Sequence, residues 1–309
     1  MSPRPVLSLL NRAWSEPKPG NTVDENEDAF AVRVLDDRGR VLLALADGAS
    51  ATIHSRAWAQ LLVASAEPEW LTLRDDELTA RLDDLRDRFD LAHAASGPWY
   101  VQRKTTKYGS QAALLVVLLD PAGNDGGVSV RALAVGDCNV MVLQAKGAIT
   151  SFPMQSSSSF SSTPALVASR PQSDLSYGRW GTRIDAEDVV LASSDAVGQW
   201  MLACVEANRQ DALVQVLIDL ASATPIDSPE PGNLATSRVG LRETLSKSTF
   251  QHPLREDDLT LVMCQPLSTE APRRAIPAGS TTTSLNDLRR RLGLRNMIGT
   301  VARFARRIR

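Results

Sequence analysis

The chain has 309 residues, of which 43% are hydrophobic and 23% are charged, and its formal net charge at pH 7 is -2. These values exclude a disordered chain, a fibrous protein and a wholly basic nucleic-acid binder. The charge is unevenly distributed, because residues 284–309 contain eight arginines and one aspartate and carry a local charge of +7. The preceding residues, 1–283, therefore carry a net charge of -9.

The three cysteines, Cys138, Cys204 and Cys264, are far apart in the sequence and form no CxxC pair. This spacing argues against a disulfide framework or a zinc knuckle and is typical of a protein in a reducing compartment. The first residues lack the pattern of a secretory signal. The longest apolar run, 112–119, is shorter than the ~18–20 residues that a membrane-spanning helix needs. We therefore expect a cytoplasmic protein.

The N-terminal third of the chain is predicted to contain a hairpin followed by two helices. The first 25 residues are rich in proline and polar residues, so we expect them to be irregular. Apolar runs at 29–35 and 41–46, separated by an Asp-Asp-Arg-Gly turn, predict two hairpin strands. Apolar residues at helical spacing then predict one helix over 55–66 and a longer, highly charged helix over 75–95.

The following residues show an element order that is typical of α+β proteins. Strand-like runs occupy 109–119, 128–135 and 139–143, and residues 151–179, with a run of serines, are expected to form a long polar loop. A strand, two helices, a proline-rich loop, a short helix and a last strand follow. Their expected bounds are 188–192, 197–206, 209–222, 224–232, 237–246 and 259–264. Because strands and helices do not alternate one by one, a doubly wound parallel sheet is excluded.

Acidic residues recur where the predicted strands begin or end. At any single position, the preference of Asp and Gly for turns explains this without a function. The repeated pattern indicates a carboxylate cluster, which is costly to bury unless a cation neutralises it. Oxygen ligands, together with only three scattered histidines, favour Mg²⁺ or Mn²⁺ over zinc. The acidic positions are Glu27, Asp28, Asp47, Asp137, Asp195, Asp257 and Asp258.

Five short motifs contain these residues and follow one another in a defined order. They are Asn26-Glu27-Asp28-Ala29-Phe30, Ala46-Asp47-Gly48-Ala49-Ser50, Gly109-Ser110 with Val135-Gly136-Asp137, Leu191-Ala-Ser-Ser-Asp195-Ala196, and Asp257-Asp258-Leu259-Thr260-Leu261. In this order they resemble the metal-dependent serine/threonine phosphatases of the protein phosphatase 2C type. The ordered set spans residues 21–265. The string Asp195-Ala-Val-Gly-Gln-Trp200 replaces the family's more usual Asp-Gly-Leu-Trp, which indicates a divergent bacterial branch.

The resemblance implies an α+β fold, a four-layer α-β-β-α sandwich over residues 1–267, with metal ions at one end of the sheets. Two Mg²⁺ or Mn²⁺ ions would activate a bridging water for attack on phosphoserine or phosphothreonine, and a third ion would bind more weakly. Asp47, Asp195 and Asp257 are the expected catalytic residues. The implied metal ligands are Glu27, Asp28, Asp47, the Gly48 carbonyl, Asp195 and Asp257, with Asp137 for the third ion.

Departures from the family pattern leave other functions open. The family's phosphate-binding arginine lies four residues before Glu27, where this chain has Val23. Arg12, Lys18 and Arg33 are candidate replacements. The loop after Gly48 also lacks the further glycines that are usual in the family. One alternative is a pseudophosphatase that acts as a protein-binding signalling module, and another is a two-metal hydrolase of small phosphoesters.

The C-terminal region is predicted to lie outside the catalytic domain. Residues 268–283 are rich in Thr, Ser and Pro, so we expect a disordered linker. Residues 284–309 combine apolar residues at helical spacing with the arginines, which predicts a basic amphipathic helix. Such a helix could dock on a partner, on this protein itself or on an anionic membrane surface, or remain solvated without a partner. No nucleic acid is expected, and the expected substrate is a phosphoprotein, the target of a kinase in cytosolic signalling.

Overall fold

The computed structural model describes residues 8–122, 127–161, 163–171, 175–185, 187–222 and 240–267. These ranges contain eleven strands and six α-helices. The strands are β1 (Ser8–Glu16), β2 (Asp28–Val34), β3 (Val41–Gly48), β4 (Gln111–Ala122), β5 (Gly127–Val135), β6 (Asn139–Leu143), β7 (Ile149–Phe152), β8 (Val167–Ala168), β9 (Gly178–Ile184), β10 (Val189–Ser193) and β11 (Leu259–Leu267). The helices are α1 (Ser55–Ser65), α2 (Asp75–His93), α3 (Trp99–Tyr108), α4 (Asp195–Glu206), α5 (Gln210–Ser222) and α6 (Leu241–Ser246).

The strands form two antiparallel sheets that pack face to face. The first sheet has the strand order β1-β11-β10-β6-β7, and the second has the order β2-β3-β4-β5-β9 with β8 also paired to β4. Side chains alternate between the two faces of a strand, so each sheet has an inner and an outer face. The inner faces meet in a buried apolar layer that includes Leu43, Leu115 and Val130 from the second sheet and Val190 and Val262 from the first.

The outer face of each sheet is covered by helices. The first sheet packs against α4, α5 and α6 through a cluster that includes Leu191, Trp200 and Leu217. The second sheet packs against α1 and α2 through a cluster that includes Trp58 and Phe89. The resulting layers are helix, sheet, sheet and helix, which confirms the predicted α-β-β-α sandwich.

The prediction that the first 25 residues are irregular was wrong. Residues 8–16 form the edge strand β1, which pairs with β11 in a continuous register from Ser8 opposite Leu267 to Glu16 opposite Leu259. This pairing satisfies the backbone N–H and C=O groups of the segment on one side. A strand at the edge of a sheet has only part of its surface covered by other residues. Its sequence therefore need not alternate between apolar and polar residues, which is the pattern that predicts a strand.

The prediction of one long loop over 151–179 was also wrong. This segment contains the end of β7, the short strand β8 and the start of β9, as well as a 3₁₀ turn at Ser157–Ser159. The turn is held on α4, because Ser157 donates a hydrogen bond from its backbone N–H to Glu206 Oε1 at 2.8 Å. Helix α3 was not predicted, since its sequence has almost no apolar face and only Thr105 is buried.

The predictions of the β2–β3 hairpin and of the helices α1, α2, α4 and α5 are confirmed to within a few residues. The predicted loop at 224–232 and the first residues of the predicted helix at 237–246 lie outside the described residues. The predicted linker at 268–283 and basic helix at 284–309 lie outside the described residues. Within the described ranges, none of the helices combines the length and the apolar character that crossing a membrane requires.

Candidate metal centre

Six aspartates are placed by the ends of strands at one end of the sandwich. Asp28 opens β2 and lies directly opposite Asp47 near the end of β3. The other four occupy the turns that connect or precede neighbouring strands. Asp137 lies between β5 and β6, Asp195 follows β10 as the first residue of α4, and Asp257 and Asp258 precede β11. The sheets therefore bring together residues that are up to 230 positions apart in sequence (Asp28 and Asp258).

Two hydrogen bonds between Ser194 and Thr260 hold the turn after β10 against the start of β11. The Thr260 N–H donates to Ser194 Oγ at 2.9 Å, and the Ser194 N–H donates to the Thr260 carbonyl oxygen at 3.1 Å. This reciprocal pair places Asp195 beside the Asp257-Asp258 pair, although more than 60 residues separate them in sequence.

Gly48 allows the chain to pass close to Glu27 and to the start of α1. A Cβ atom at this position would lie 2.9 Å from the Glu27 carbonyl oxygen and 3.0 Å from the Ser55 carbonyl carbon. Contacts this short to backbone atoms cannot be relieved by a side-chain rotation, so glycine is required here for packing. The preference for glycine thus has a structural cause that is independent of any role of its carbonyl group.

Asp28 is buried, and neither of its carboxyl oxygens has a hydrogen-bond partner of ordinary geometry. The hydroxyl groups of Thr260 and Ser194 lie nearby and lower the pKa of the carboxyl only in part. Burial, together with the neighbouring charges of Asp258 and Asp195, raises its pKa to about 8. A buried carboxyl whose hydrogen bonds are this incomplete is a group whose charge a bound cation would stabilise.

The same cause acts on the carboxyl groups around Asp28. Burial raises the pKa of Asp47 well above its ordinary value, and the charges of Asp28, Asp195, Asp257 and Asp137 add to this rise. Burial and the charge of Asp195 likewise raise the pKa of Asp137 to about 7. The pKa of Asp257 is raised by burial and by Asp195. The cluster therefore contains more negative charge than the surrounding protein neutralises.

Among the described residues, two cationic side chains contact carboxylates at this end of the sandwich, and Arg255 is the first. Its Nη1 donates to Asp195 Oδ2 at 2.7 Å, and its Nη2 donates to the Phe160 carbonyl oxygen at 3.0 Å. The other oxygen of Asp195, Oδ1, is buried without a hydrogen-bond partner. Arg255 therefore neutralises one side of Asp195 and links it to the segment that follows the serine run.

Lys18 is the second cation. Its Nζ contacts Glu27 Oε2 at 3.0 Å and Ser50 Oγ at 2.8 Å. Asp258 fixes the segment that carries both residues, because its carboxylate accepts the backbone N–H groups of Lys18 and Glu27, each at 2.6 Å. The Glu27 carboxylate also accepts the hydroxyl group of Ser55. Glu27 thus has partners on both of its carboxyl oxygens.

The three candidate replacements for the missing arginine occupy different places. Val23 lies on a 3₁₀ turn and is 73% exposed. Lys18 contacts Glu27 in the site, as described above. Arg33 instead donates to the carbonyl oxygens of Ala64 and Ala66 at the far end of α1. Arg12 lies within β1 opposite Met263. Of the two candidates whose hydrogen bonds are defined, Lys18 is the one at the cluster.

The cluster has the chemistry of a site for a hard cation, but its side chains are not arranged around a common point. Within the described ranges, no three His, Cys, Asp or Glu side chains are positioned so that they could hold a metal ion as they stand. The contacts of Arg255 with Asp195 and of Lys18 with Glu27 give a physical reason, since each turns a carboxylate toward a cation of the chain. Ion binding would therefore require rearrangement of these side chains.

No protein-family model matches the sequence, and no curated protein matches it either. Solved structures do match. Two structures of a bacterial serine phosphatase, one of them a point mutant, are 12% identical and superpose with TM-scores of 0.51 and 0.50 over 85% of this chain and 100% of theirs. The serine/threonine phosphatase Stp1 from Staphylococcus aureus is also 12% identical and has a TM-score of 0.49 over 86% of this chain and 98% of its own. The chain has the protein phosphatase 2C fold.

The sequence predicts all six clustered aspartates at strand ends, but it does not predict the contacts of Arg255 and Asp258. Arg255 is a basic residue two positions before Asp257, which is the signal for it in the sequence. Asp258 is predicted as an acidic position before β11, and the structure shows that its carboxylate anchors the Lys18–Glu27 segment. Neither partner could be identified from the sequence, because both contacts join residues that are distant in the chain.

Proposed function

We propose that this protein is a Mg²⁺- or Mn²⁺-dependent phosphatase that hydrolyses phosphoserine and phosphothreonine on proteins. The observation that carries the proposal is the aspartate cluster around Asp28. The carboxyl oxygens of Asp28 are buried without a hydrogen-bond partner of ordinary geometry, and its pKa is raised to about 8. A cluster of this kind is stabilised by divalent cations, and strongly perturbed carboxyl groups concentrate at functional sites. The shared fold is consistent with the proposal.

Each residue has an assigned role in this proposal. Asp47 would bridge two ions, and Asp137 would hold a weaker third. The other ligands would be Glu27, Asp28, the Gly48 carbonyl, Asp195 and Asp257. Such ions lower the pKa of water and neutralise charge on phosphoryl oxygens, as phosphate-ester hydrolysis requires. Lys18 is the candidate for the missing phosphate-binding arginine, because its Nζ lies at the edge of the cluster beside Glu27.

A specific observation favours a second candidate, a pseudophosphatase that acts as a protein-binding signalling module. Arg255 and Lys18 already neutralise Asp195 and Glu27, so the chain supplies part of the positive charge that metal ions would provide. Hydrolysis of small phosphoesters is a third candidate. The first proposal, a protein phosphatase, also includes a cytoplasmic location and a substrate protein that a kinase phosphorylates.

Hydrolysis of a phosphothreonine peptide in the presence of Mn²⁺, with and without EDTA, tests the proposed activity. The variants are Asp47→Asn and Asp195→Asn, and the matched control is Asp87→Asn, which changes an exposed aspartate of α2. We expect wild type and the control to turn over the peptide only with Mn²⁺. Each cluster variant should lose at least ~100-fold in kcat/KM, because a ligand of the reacting centre is removed.

The alternatives give different results in the same assay. Equal background rates for wild type and both cluster variants, with native circular dichroism spectra, would support the pseudophosphatase. Turnover of para-nitrophenyl phosphate but not of the phosphopeptide would support the hydrolase of small phosphoesters. Turnover that persists in EDTA would contradict a metal-dependent mechanism.

A further inference from the structure

Helix α3 presents an exposed surface of aromatic and basic side chains. Trp99, Tyr100 and Tyr108 are 72%, 54% and 60% exposed, which is unusual for such large rings. Three exposed cations lie between them. We call this set the α3 surface, and it consists of Trp99, Tyr100, Arg103, Lys104, Lys107 and Tyr108.

The α3 surface is positively charged in a chain whose net charge is negative. Residues 91–119 contain no Asp or Glu, so the three cations have no acidic neighbour in this stretch of the sequence. Lys107 Nζ lies 4.9 Å from the centre of the Tyr108 ring, which keeps this cation next to an aromatic face. A surface with this composition is complementary to an acidic segment that also offers apolar contacts.

The C-terminal end of α3 is close in the chain to the strand that pairs with Asp47. Helix α3 leads directly into β4, in which Ala113 is paired with Asp47, and the Ala49 N–H donates to the Gln111 carbonyl oxygen at 2.9 Å. Four residues lie between Tyr108 and Ala113, so the Cα atoms of these two residues are at most ~18 Å apart. A peptide with its phosphorylated residue at the cluster could therefore reach α3 with about five further residues.

Arg170 connects helix α3 to the helix layer. It donates from Nη2 to the Thr105 carbonyl oxygen at 3.1 Å, and its Nη1 donates to Asp90 near the end of α2. Thr105 is the buried residue of α3, so the aromatic and basic side chains of this helix remain open to a partner.

We propose that the α3 surface binds an acidic segment that flanks the phosphorylated residue of the protein substrate. This inference rests on the proposed phosphatase function and assigns its substrate class. The carboxylates of the segment would pair with Arg103, Lys104 and Lys107, and its apolar side chains would contact the rings of Trp99 and Tyr100. Aromatic and arginine side chains are the residue types that most often contribute binding energy at protein interfaces.

The charge of the neighbouring helix favours a peptide over an anionic membrane. Helix α2, which Arg170 joins to α3, contains seven acidic and three basic residues, counted without its histidine. A flat anionic surface lying on α3 would approach these carboxylates as well and would be repelled. A narrow acidic segment can contact α3 alone.

The test compares the triple variant Arg103→Glu, Lys104→Glu, Lys107→Glu with a matched variant that has the same change in charge. The matched control is Arg81→Glu, Arg88→Glu, Lys146→Glu, which changes exposed cations elsewhere. The substrates are a phosphothreonine peptide with Asp and Glu beside the phosphate, the same peptide with Asn and Gln instead, and para-nitrophenyl phosphate. We expect wild type to prefer the acidic peptide. In the α3 variant, the ratio of kcat/KM for this peptide to that for para-nitrophenyl phosphate should fall about tenfold.

Binding is measured separately, so that a failure of the proposed catalysis can be distinguished from a failure of this inference. Fluorescence anisotropy of the labelled acidic phosphopeptide is recorded with the Asp47→Asn protein, with and without the α3 substitutions. We expect Kd to rise about tenfold with the α3 substitutions, and we expect added salt to raise the Kd of the protein without them. Equal Kd values for the acidic and neutral peptides, or for the α3 and control variants, would overturn the inference. Loss of binding to vesicles rich in phosphatidylserine, with unchanged peptide binding, would assign the surface to a membrane instead.

Discussion

Asp28 carries a carboxyl group that is buried and has no hydrogen-bond partner of ordinary geometry, against the rule that buried polar groups are paired. The pKa values of its neighbours Asp47 and Asp137 are also raised, by burial first and by the neighbouring carboxylates second. A structural role does not explain such an arrangement, because apolar residues of similar size would be more stable there. At the scale of single residues, the cluster therefore indicates a function for which stability has been given up.

Arg255 gives a residue-scale prediction that concerns the affinity for metal ions. Its guanidinium group holds Asp195 Oδ2 at 2.7 Å and so competes with any cation for this carboxylate. We expect Arg255→Gln to bind Mn²⁺ about fivefold more tightly, since removal of the partly exposed ion pair frees Asp195. Isothermal titration calorimetry on the metal-free protein measures this, and Arg209→Gln, which loses an ion pair on α5, is the control. Weaker binding in Arg255→Gln would show that Arg255 positions Asp195 for the ion.

At the scale of elements, the local pattern of apolar residues was sufficient to predict those helices and strands that bury one face of their own. Apolar residues recur at helical spacing in α1 and α2, and their predicted bounds agree with the structure to within a few residues. The edge strands β1 and β9 have no such pattern. In β9 the exposure alternates between partly buried and exposed residues, because only one face contacts the protein. Their existence depends on the hydrogen-bonding edge of β11 or β5, which is not visible in their own sequences.

Helix α1 is attached to the second sheet by Trp58, and this contact provides a prediction at the scale of elements. Trp58 is 0% exposed, and its Nε1 donates to the Val167 carbonyl oxygen of β8 at 2.8 Å. We expect Trp58→Phe to lower the free energy of unfolding by about 2–4 kcal/mol, since it leaves a cavity and an unpaired buried carbonyl group.

Urea unfolding followed by circular dichroism measures the effect of Trp58→Phe. The control is Trp99→Phe, a substitution of a 72% exposed residue, which should change the free energy of unfolding by less than about 0.5 kcal/mol. A similar, small change in both variants would show that the hydrogen bond and the packing of Trp58 contribute little.

At the scale of the whole molecule, two sheets that pack face to face concentrate negative charge at one end. The pKa of Asp28 is raised to about 8 and that of Asp137 to about 7, from a reference value of 3.8. Between about pH 4 and about pH 8, these carboxyl groups keep their protons in the folded protein and lose them in the unfolded chain. The folded protein therefore binds more protons in this range. The free energy of unfolding of the metal-free protein should therefore decrease as the pH rises from about 4 to about 8.

This pH dependence can be measured by thermal unfolding in EDTA and in saturating Mn²⁺. From pH 5 to pH 8 we expect the Tm of the metal-free protein to fall by roughly 5 °C or more, and we expect Mn²⁺ to remove most of the decrease. Asp28→Asn should show a smaller decrease in EDTA, because one of the titrating carboxyl groups is absent. A Tm that rises over this pH range, or that does not respond to Mn²⁺, would contradict the assigned cluster.

The sequence by itself was enough to predict a cluster of acidic residues at strand ends and the order of the elements that have an apolar pattern of their own. Runs of apolar residues define strands and helices locally, and acidic residues at their ends can be read without knowledge of the partner strands. Only the tertiary structure decided that Asp28 lies opposite Asp47, that Arg255 contacts Asp195 and that Asp258 anchors the Lys18–Glu27 segment. The reason is physical, since each of these contacts joins distant parts of the chain through sheet register and packing, which a local pattern does not encode.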